Sequence, residues 1–181
     1  MHALGFFADI LDYPTARLND RLRDCILALE TGNGLLPAAD ALPPCERLRQ
    51  FQNTCGRVEL SRLEEIYTAT FDMRADSSLY VGYQLFGDDW RRSSYLARLQ
   101  QLYRAHGFSA GAELPDHMCI MLHFIAGQDS SVETQELITD CLVPALSKIL
   151  DKLDRAANPY APALEALLLC LRGACTQEEA E

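Results

Sequence analysis

The sequence predicts an all-α protein, a single-domain bundle of roughly eight helices. Apolar residues recur at helical spacing along most of the chain, whereas alternating strand patterns with hairpin turns are almost absent. The chain has 181 residues, which is the usual size of one domain. About half of them are apolar, which is enough to form one hydrophobic core. We therefore expect a single helical domain over residues 1–175 and an acidic, disordered tail over residues 176–181, TQEEAE.

Four helices are predicted in the first 72 residues. Pro14 suits the first turn of the second helix because its fixed φ is already helical, and the glycines of TGNG should end that helix. The predicted elements are a helix over Leu4–Leu11, a helix from Pro14 to Thr31–Gly34, a connector with at most one helical turn over Leu36–Pro44, and helices over Cys45–Cys55 and Val58–Asp72.

The remaining helices follow a break at MRADSS, Met73–Ser78, which carries N-capping residues. Gly107 is a suitable C-cap, and Pro144 should kink or divide the helix that contains it. The predicted helices are a short aromatic helix over Leu79–Phe86, one from Asp88 or Asp89 to about His106, one opened by Pro115 and largely buried to about Gly127, one from Ser130–Ser131 through Pro144, and a last one over Pro159–Cys175.

Charge and composition exclude several classes of protein. The formal net charge of -10 argues against nucleic acid and against an anionic membrane surface, but it would attract a basic partner segment. No targeting segment and no apolar run long enough for membrane insertion occurs, so we expect a cytoplasmic protein. The seven cysteines include no C-x-x-C pair and are expected to be reduced, mostly buried thiols.

The segment ELPDHMCIMLHFIA, Glu113–Ala126, concentrates polar groups in an apolar helix. On a helix, Asp116 and His123 share a stripe but lie about 10 Å apart along the axis, and His117 points elsewhere, so the three do not converge on one ion. The helical zinc signature H-E-x-x-H is absent. We therefore expect no metal, no other cofactor and no catalytic residue in this segment.

Two interpretations of Asp116 and His117 remain open at this point. They could simply begin a buried helix, where an acid is favoured by the helix dipole. Alternatively, they could present hydrogen-bonding groups to a bound peptide at the mouth of that helix. The nearby aromatic residues are equally ambiguous, because they suit either a core or a peptide-binding groove. These aromatic residues are Tyr67, Phe71, Tyr80, Tyr83, Phe86 and Trp90.

Three stretches together resemble one protein family: ILDYPTARL, YTATFDMRADSSLYVGYQLFGDDWRR and ELPDHMCIMLHFIA. Their order and spacing are similar to those of the NarJ type of molybdoenzyme-assembly chaperones, the nitrate reductase delta-subunit family, which is related to TorD and DmsD. The matching residues are Tyr67, Phe71, Asp72, Ser78, Leu79, Tyr80, Gly87, Asp88, Glu113, Leu114, Pro115, Asp116 and His117. The chain departs from the family pattern at Trp90 and Met118, which leaves the identity of the client open.

The resemblance implies a cytoplasmic chaperone that is not itself an enzyme. It would bind the N-terminal segment of an apo catalytic molybdenum subunit and hold it for cofactor insertion before release or export. Asp116 would meet a basic or N–H group of that segment, and His117 would orient the contact. The candidate peptide-binding residues are Tyr67, Phe71, Tyr80, Tyr83, Trp90, Glu113, Asp116, His117 and Met121. Two alternatives remain: a small-ligand carrier or enzyme that uses Asp116 and His117, and a structural subunit of the mature oxidoreductase.

Overall fold

Helices form all the regular structure in residues 2–32 and 36–178, which are the residues that the computed structural model describes. Within them, the β-type pairing consists of one isolated antiparallel bridge between Tyr80 and His117. The helices enclose one hydrophobic core. The predicted all-α, single-domain fold class is therefore confirmed.

Ten α-helical segments lie within the described residues, and α8 continues into α9 without a break. The segments are α1 (Ala3–Leu11), α2 (Leu18–Glu30), α3 (Leu42–Cys55), α4 (Leu60–Tyr67), α5 (Val81–Phe86), α6 (Trp90–Ala105), α7 (Met118–Ala126), α8 (Val132–Glu136), α9 (Val143–Lys152) and α10 (Ala161–Glu178). Wider π-helical turns follow α4 at Thr68–Asp72 and join α8 to α9 at Leu137–Leu142. Short 3-10 turns lie at Ala38–Asp40 and Ala75–Ser77.

The start of α2 corrects a prediction. Pro14 does not open this helix, which begins at Leu18. The Leu18 N–H donates to the carbonyl of Thr15 at 3.0 Å, so the first turn forms after the proline. Tyr13 instead packs edge-on against Tyr67, with the ring centroids 5.4 Å apart. The residues around Pro14 thus form a packed connection between α1 and α2.

The start of α7 corrects a second prediction, because the helix begins at Met118 and not at Pro115. The Val81 N–H donates to the carbonyl of Asp116, and the Met118 N–H donates to the carbonyl of Leu79, each at 2.8 Å. The residues before α7 therefore pair with the chain before α5. A helix that began at Pro115 would need the Asp116 carbonyl and the Met118 N–H for its own hydrogen bonds, but the pairing with Val81 and Leu79 already uses both groups.

Helix α7 lies at the centre of the fold, as its uniformly apolar sequence predicts. It packs against α1 on one side. On another side, Tyr103 of α6 stacks on Phe124 with the ring centroids 4.6 Å apart. The predicted burial of this helix is confirmed, since Met118, Met121 and Ile125 have no exposed surface.

Pro144 divides its helix without ending it. The proline lies in the first turn of α9, directly after the π-helical turn over Leu137–Leu142. A proline inside an α-helix lacks the N–H that would bond to the preceding turn, and its ring clashes with that turn. The wider π-turn accommodates the change in hydrogen bonding, so the chain continues as one helical rod.

The C-terminal ends of α2 and α10 lie at the predicted TGNG turn and the predicted acidic tail. Helix α2 ends at Glu30, and Gly32 follows with φ 69°, but Asn33–Gly34 of the predicted turn lie outside the described residues. Helix α10 continues to Glu178, so the first three residues of the predicted tail are helical. Residues 179–181 of that tail also lie outside the described residues. No helix in residues 2–32 and 36–178 is long and apolar enough to cross a membrane.

The packing of α10 against α3 generates a stability prediction. Leu167 is fully buried, whereas Leu169 on the same helix is 39% exposed. We expect Leu167→Ala to lower the free energy of unfolding by about 2–5 kcal/mol, because it removes buried methyl groups and leaves a cavity. The matched variant Leu169→Ala should cost less than about 1 kcal/mol. Urea denaturation measures both, and equal losses would contradict this assignment of the core.

Candidate functional site

A cavity of about 320 Å³ opens where four parts of the chain meet. These parts are the α1–α2 connection, the π-turn after α4, the residues before α5, and the start of α7 with the loop that precedes it. We call it the aromatic cavity. Its lining residues are Asp12, Tyr13, Tyr67, Phe71, Asp72, Leu79, Tyr80, Glu113, His117, Cys119, Ile120 and His123.

The structure brings together part of the predicted peptide-binding set. Five of the nine residues line the aromatic cavity: Tyr67, Phe71, Tyr80, Glu113 and His117. The other four lie elsewhere: Tyr83, Trp90, Asp116 and Met121. The Trp90 side chain is 75% exposed at the start of α6. Met121 is fully buried, with its sulfur 3.6 Å from the Tyr95 hydroxyl.

Interlocked aromatic rings form the floor of the cavity. Tyr67 packs edge-on against Phe71 with the ring centroids 5.0 Å apart, and both rings contact the fully buried Tyr160. The Tyr67 hydroxyl donates to the carbonyl of Leu11 at 3.2 Å, and burial raises the pKa of this phenol. The floor is therefore anchored to the core and is neutral at physiological pH.

The cavity is negatively charged at its surface. Asp12, Asp72 and Glu113 line it, and no lysine or arginine is among its lining residues. The groups there that could carry a positive charge are two imidazoles, and that of His123 lies 3.6 Å from Asp9. An apolar floor beneath a ring of carboxylates favours a ligand that combines an apolar group with a cation.

Tyr80 and His117 form one wall of the cavity. Their rings pack edge-on with centroids 5.2 Å apart, and the Tyr80 hydroxyl donates to Glu113 at 3.1 Å. Burial, assisted by the Glu113 carboxylate, raises the pKa of Tyr80. Burial lowers the pKa of His117, although Glu113 and the other nearby carboxylates oppose this shift. The wall thus offers a neutral imidazole and a neutral phenol.

Asp116 lies beneath this wall and not on the cavity surface. Its side chain has no exposed area, and its Oδ2 lies 3.3 Å from Nε of Arg92. The backbone N–H of Gly82 also stabilises the carboxylate. Burial raises the pKa of Asp116, and the Arg92 guanidinium opposes that rise. Oδ1 is buried with no hydrogen-bond partner within the described part of the chain.

The Asp116–Arg92 pair contacts Tyr80, which lines the cavity. The Arg92 guanidinium lies 5.7 Å from the ring centroids of both Tyr80 and Tyr83, within the range of a cation–π contact. Gly82 permits the close approach, because a Cβ there would lie 2.7 Å from Oδ2 of Asp116. A glycine, an arginine and a buried aspartate therefore set the position of the Tyr80 ring.

Sequence reasoning missed several residues that take part in this site. Asp12, Tyr13, Asp72 and His123 line the cavity, and Arg92 supports its wall. All five belong to the three stretches that resemble the chaperone family. The family resemblance was therefore the signal that could have identified these five residues. Hydrophobic periodicity could not, because it describes neighbouring positions and these residues are far apart in the sequence.

Nucleophilic or metal chemistry has little support at this site. Cys119 is buried, and burial raises its pKa well above that of an ordinary thiol, which keeps it protonated. In residues 2–32 and 36–178, no group of three or more His, Cys, Asp or Glu side chains is arranged to hold a metal ion. The arrangement can bind a ligand, but it offers no activated group.

A family model described as the nitrate reductase delta subunit matches residues 38–166, about 70% of the chain. The chain belongs to this family. The resemblance seen in the three sequence stretches is therefore confirmed, and it is a resemblance to cofactor-assembly chaperones and not to enzymes.

Two curated relatives are each 27% identical to this chain. The probable nitrate reductase molybdenum cofactor assembly chaperone NarJ of Bacillus subtilis (strain 168) aligns over 95% of this chain and 89% of its own length. The nitrate reductase-like protein NarX of Mycobacterium tuberculosis aligns over 87% of this chain but only 22% of its own length. The crystal structure of a protein described as a redox enzyme maturation protein, from Archaeoglobus fulgidus, shares the fold. Its TM-score is 0.61 at 23% identity, with 95% of this chain and 94% of that chain covered.

The close approach at Gly82 generates a prediction about the wall. We expect Gly82→Ala to destabilise the protein by about 1–3 kcal/mol, because the new methyl group would collide with Asp116 and approach Tyr95 at 3.0 Å. Gly127→Ala is the matched control, since a Cβ there has its nearest neighbour at 3.6 Å. Thermal unfolding of both variants measures the difference. An unchanged stability of Gly82→Ala would contradict this prediction and show that the wall tolerates displacement of the ion pair.

The lowered pKa of His117 predicts a pH dependence of stability. An imidazole in the unfolded chain titrates near about 6.5, so the unfolded state takes up a proton first as the pH falls. The free energy of unfolding should therefore decrease as the pH falls through about 6.5 towards the lower folded-state pKa. His117→Gln should flatten this part of the profile. Urea denaturation across that pH range tests this, and an unchanged slope in His117→Gln would contradict it.

Proposed function

We propose that this protein is a cytoplasmic chaperone for the catalytic subunit of a molybdenum-cofactor oxidoreductase. It binds the N-terminal segment of the apo subunit, holds that subunit competent for cofactor insertion, and releases it before export or membrane docking. Membership of the nitrate reductase delta subunit family supports this function, as does the similarity to a relative described as an assembly chaperone.

The observation that carries the proposal is the convergence of three distant sequence stretches on one cavity. Asp12 and Tyr13 come from the first stretch, Tyr67 and Tyr80 from the second, and His117 from the third. Each stretch contributes to the resemblance to the chaperone family. Residues that a binding function requires are expected to meet in space, whereas residues that only pack a helical core have no reason to converge on an open surface.

The chemistry of the cavity indicates what it recognises in the client segment. An apolar side chain would lie on Tyr67 and Phe71, beside the partly exposed Ile120. A basic side chain or the peptide N–H groups would meet the carboxylates of Asp72 and Glu113. These contacts replace the direct role expected for Asp116, which in this proposal acts from beneath the wall.

A small-ligand carrier or an enzyme based on Asp116 and His117 is a weaker candidate. A volume of about 320 Å³ would admit a small molecule. However, Asp116 has no exposed surface and is already paired with Arg92, so it is not available to a ligand. A thermal-shift comparison of the client peptide with small molecules separates the two functions.

A structural subunit of the mature oxidoreductase would bury the same cavity permanently. Copurification distinguishes this function from that of a chaperone. A chaperone is present with the apo catalytic subunit and absent from the active enzyme. A structural subunit would remain in stoichiometric amount after cofactor insertion.

Calorimetric titration with a synthetic N-terminal peptide of the organism's own nitrate reductase-type molybdenum subunit tests the proposal. We expect the double variant Asp72→Asn/Glu113→Gln to bind this peptide about 10-fold more weakly, because it removes two carboxylates from the rim. A hydrogen bond to a charged group contributes roughly 1.5–3 kcal/mol, and solvent exposure reduces this contribution. The control Asp24→Asn/Glu46→Gln removes two exposed carboxylates outside the cavity and should leave the affinity unchanged.

Two results would count against the proposal. Failure of the wild-type protein to bind the peptide at any accessible concentration would exclude the client segment. Equal loss of affinity in Asp24→Asn/Glu46→Gln and in the cavity variant Asp72→Asn/Glu113→Gln would show that net charge acts on the peptide, with no specific role for the cavity. Melting curves of all variants establish that only folded protein is compared.

A further inference from the structure

A second cleft lies between α6 and the helical rod formed by α8 and the π-turn that follows it. We call it the α6–α8 groove, and its volume is about 410 Å³. Leu99 and Leu137 form a buried floor, and Leu85, Phe86 and Leu102 are partly exposed around it. The groove therefore presents apolar side chains from three elements to solvent.

Carboxylates follow one side of this groove in a row. Glu133, Glu136 and Asp140 are spaced three and four residues apart, so they share one face of the helical rod, and all three are exposed. Arg98 is the basic residue among the lining residues, and it belongs to α6 on the opposite side. The groove thus has an apolar floor, an acidic side and a net negative charge.

The α6–α8 groove is distinct from the aromatic cavity. The two share no lining residue. Tyr95, which lines the groove, is tied to the core by its hydroxyl contact with Met121. None of the residues proposed to bind the client segment contributes to the groove, so the proposed function leaves this surface unexplained.

We propose that the α6–α8 groove is a second docking surface, and that it binds an amphipathic helix with basic residues along one flank. The apolar face of such a helix would cover Leu99, Leu102 and Leu137. Its basic flank would lie along Glu133, Glu136 and Asp140. A row of carboxylates at helical spacing matches cations at i, i+3 and i+7 of the partner helix, and an acidic or uniformly apolar helix would lack this complementarity.

Fluorescence anisotropy with a designed probe tests this inference. The probe is a labelled peptide of about 18 residues, since shorter isolated helices are marginal in water. It carries leucines on one face and lysines along one flank. A control peptide carries glutamates in place of the lysines. We expect the lysine peptide to bind and the glutamate peptide to bind at least about 10-fold more weakly, with the difference reduced at high salt.

The decisive protein variant is Glu136→Lys/Asp140→Lys, which reverses two charges on the exposed side of the groove. It should weaken binding of the lysine peptide about 10-fold, because attraction becomes repulsion. The matched control is Asp24→Lys/Glu46→Lys, which changes the net charge equally at exposed helical positions of α2 and α3. The control should retain nearly wild-type affinity. Phe86→Ala should weaken binding of both peptides by removing apolar contact area.

Several outcomes would overturn the proposal. Equal affinity for the two peptides would exclude recognition by charge. Equal losses in the two charge-reversal variants would mean that only net charge matters. A loss in Asp72→Asn/Glu113→Gln instead would place the basic helix in the aromatic cavity. Sedimentation that shows a wild-type dimer dispersed by Glu136→Lys/Asp140→Lys would make a second copy of the chain the occupant.

Discussion

The ion pair between the buried Asp116 and the partly exposed Arg92 is the interaction on which the wall of the cavity depends. A carboxylate with no exposed surface is stable only if its charge is compensated. Removing one partner of a fully buried pair typically costs about 3–5 kcal/mol, and the 23% exposure of Arg92 reduces that cost here. Here the compensation comes from a guanidinium on α6 and from the backbone of Gly82 on α5. One side chain therefore joins the start of α7 to two helices that precede it in the sequence.

This arrangement separates the residues that build the cavity wall from those that face the open cavity. The Arg92 guanidinium forms an ion pair with Asp116 and also lies over the Tyr80 ring. It therefore supports the cavity wall from the side that faces away from the cavity. The carboxylates of Asp72 and Glu113 belong to the cavity lining and are exposed, although one oxygen of Glu113 already accepts from the Tyr80 hydroxyl. A rigid wall beside exposed charges lowers the entropy cost of ordering the site when a flexible segment binds.

The fold places several of the chain's carboxylates at two apolar surface sites. Both the aromatic cavity and the α6–α8 groove combine apolar floors with carboxylates. The two surfaces share no lining residue. If both surfaces bind as proposed, a client with two basic, partly apolar segments is held at two places, which increases avidity when both are engaged at once.

The sequence by itself determined the helical class and most of the helices, because hydrophobic periodicity and capping are local. Asp89 and Ser131 accept N-cap hydrogen bonds where helices were expected, and Gly107 follows α6 with φ 65°. Resemblance to a family indicated the function and part of the site. Tertiary structure decided where α2 and α7 begin, since distant backbone and aromatic contacts override the helix-starting preference of proline. It also decided that Asp116 is buried and that Asp12 faces the cavity, because burial and convergence depend on which segments meet in space.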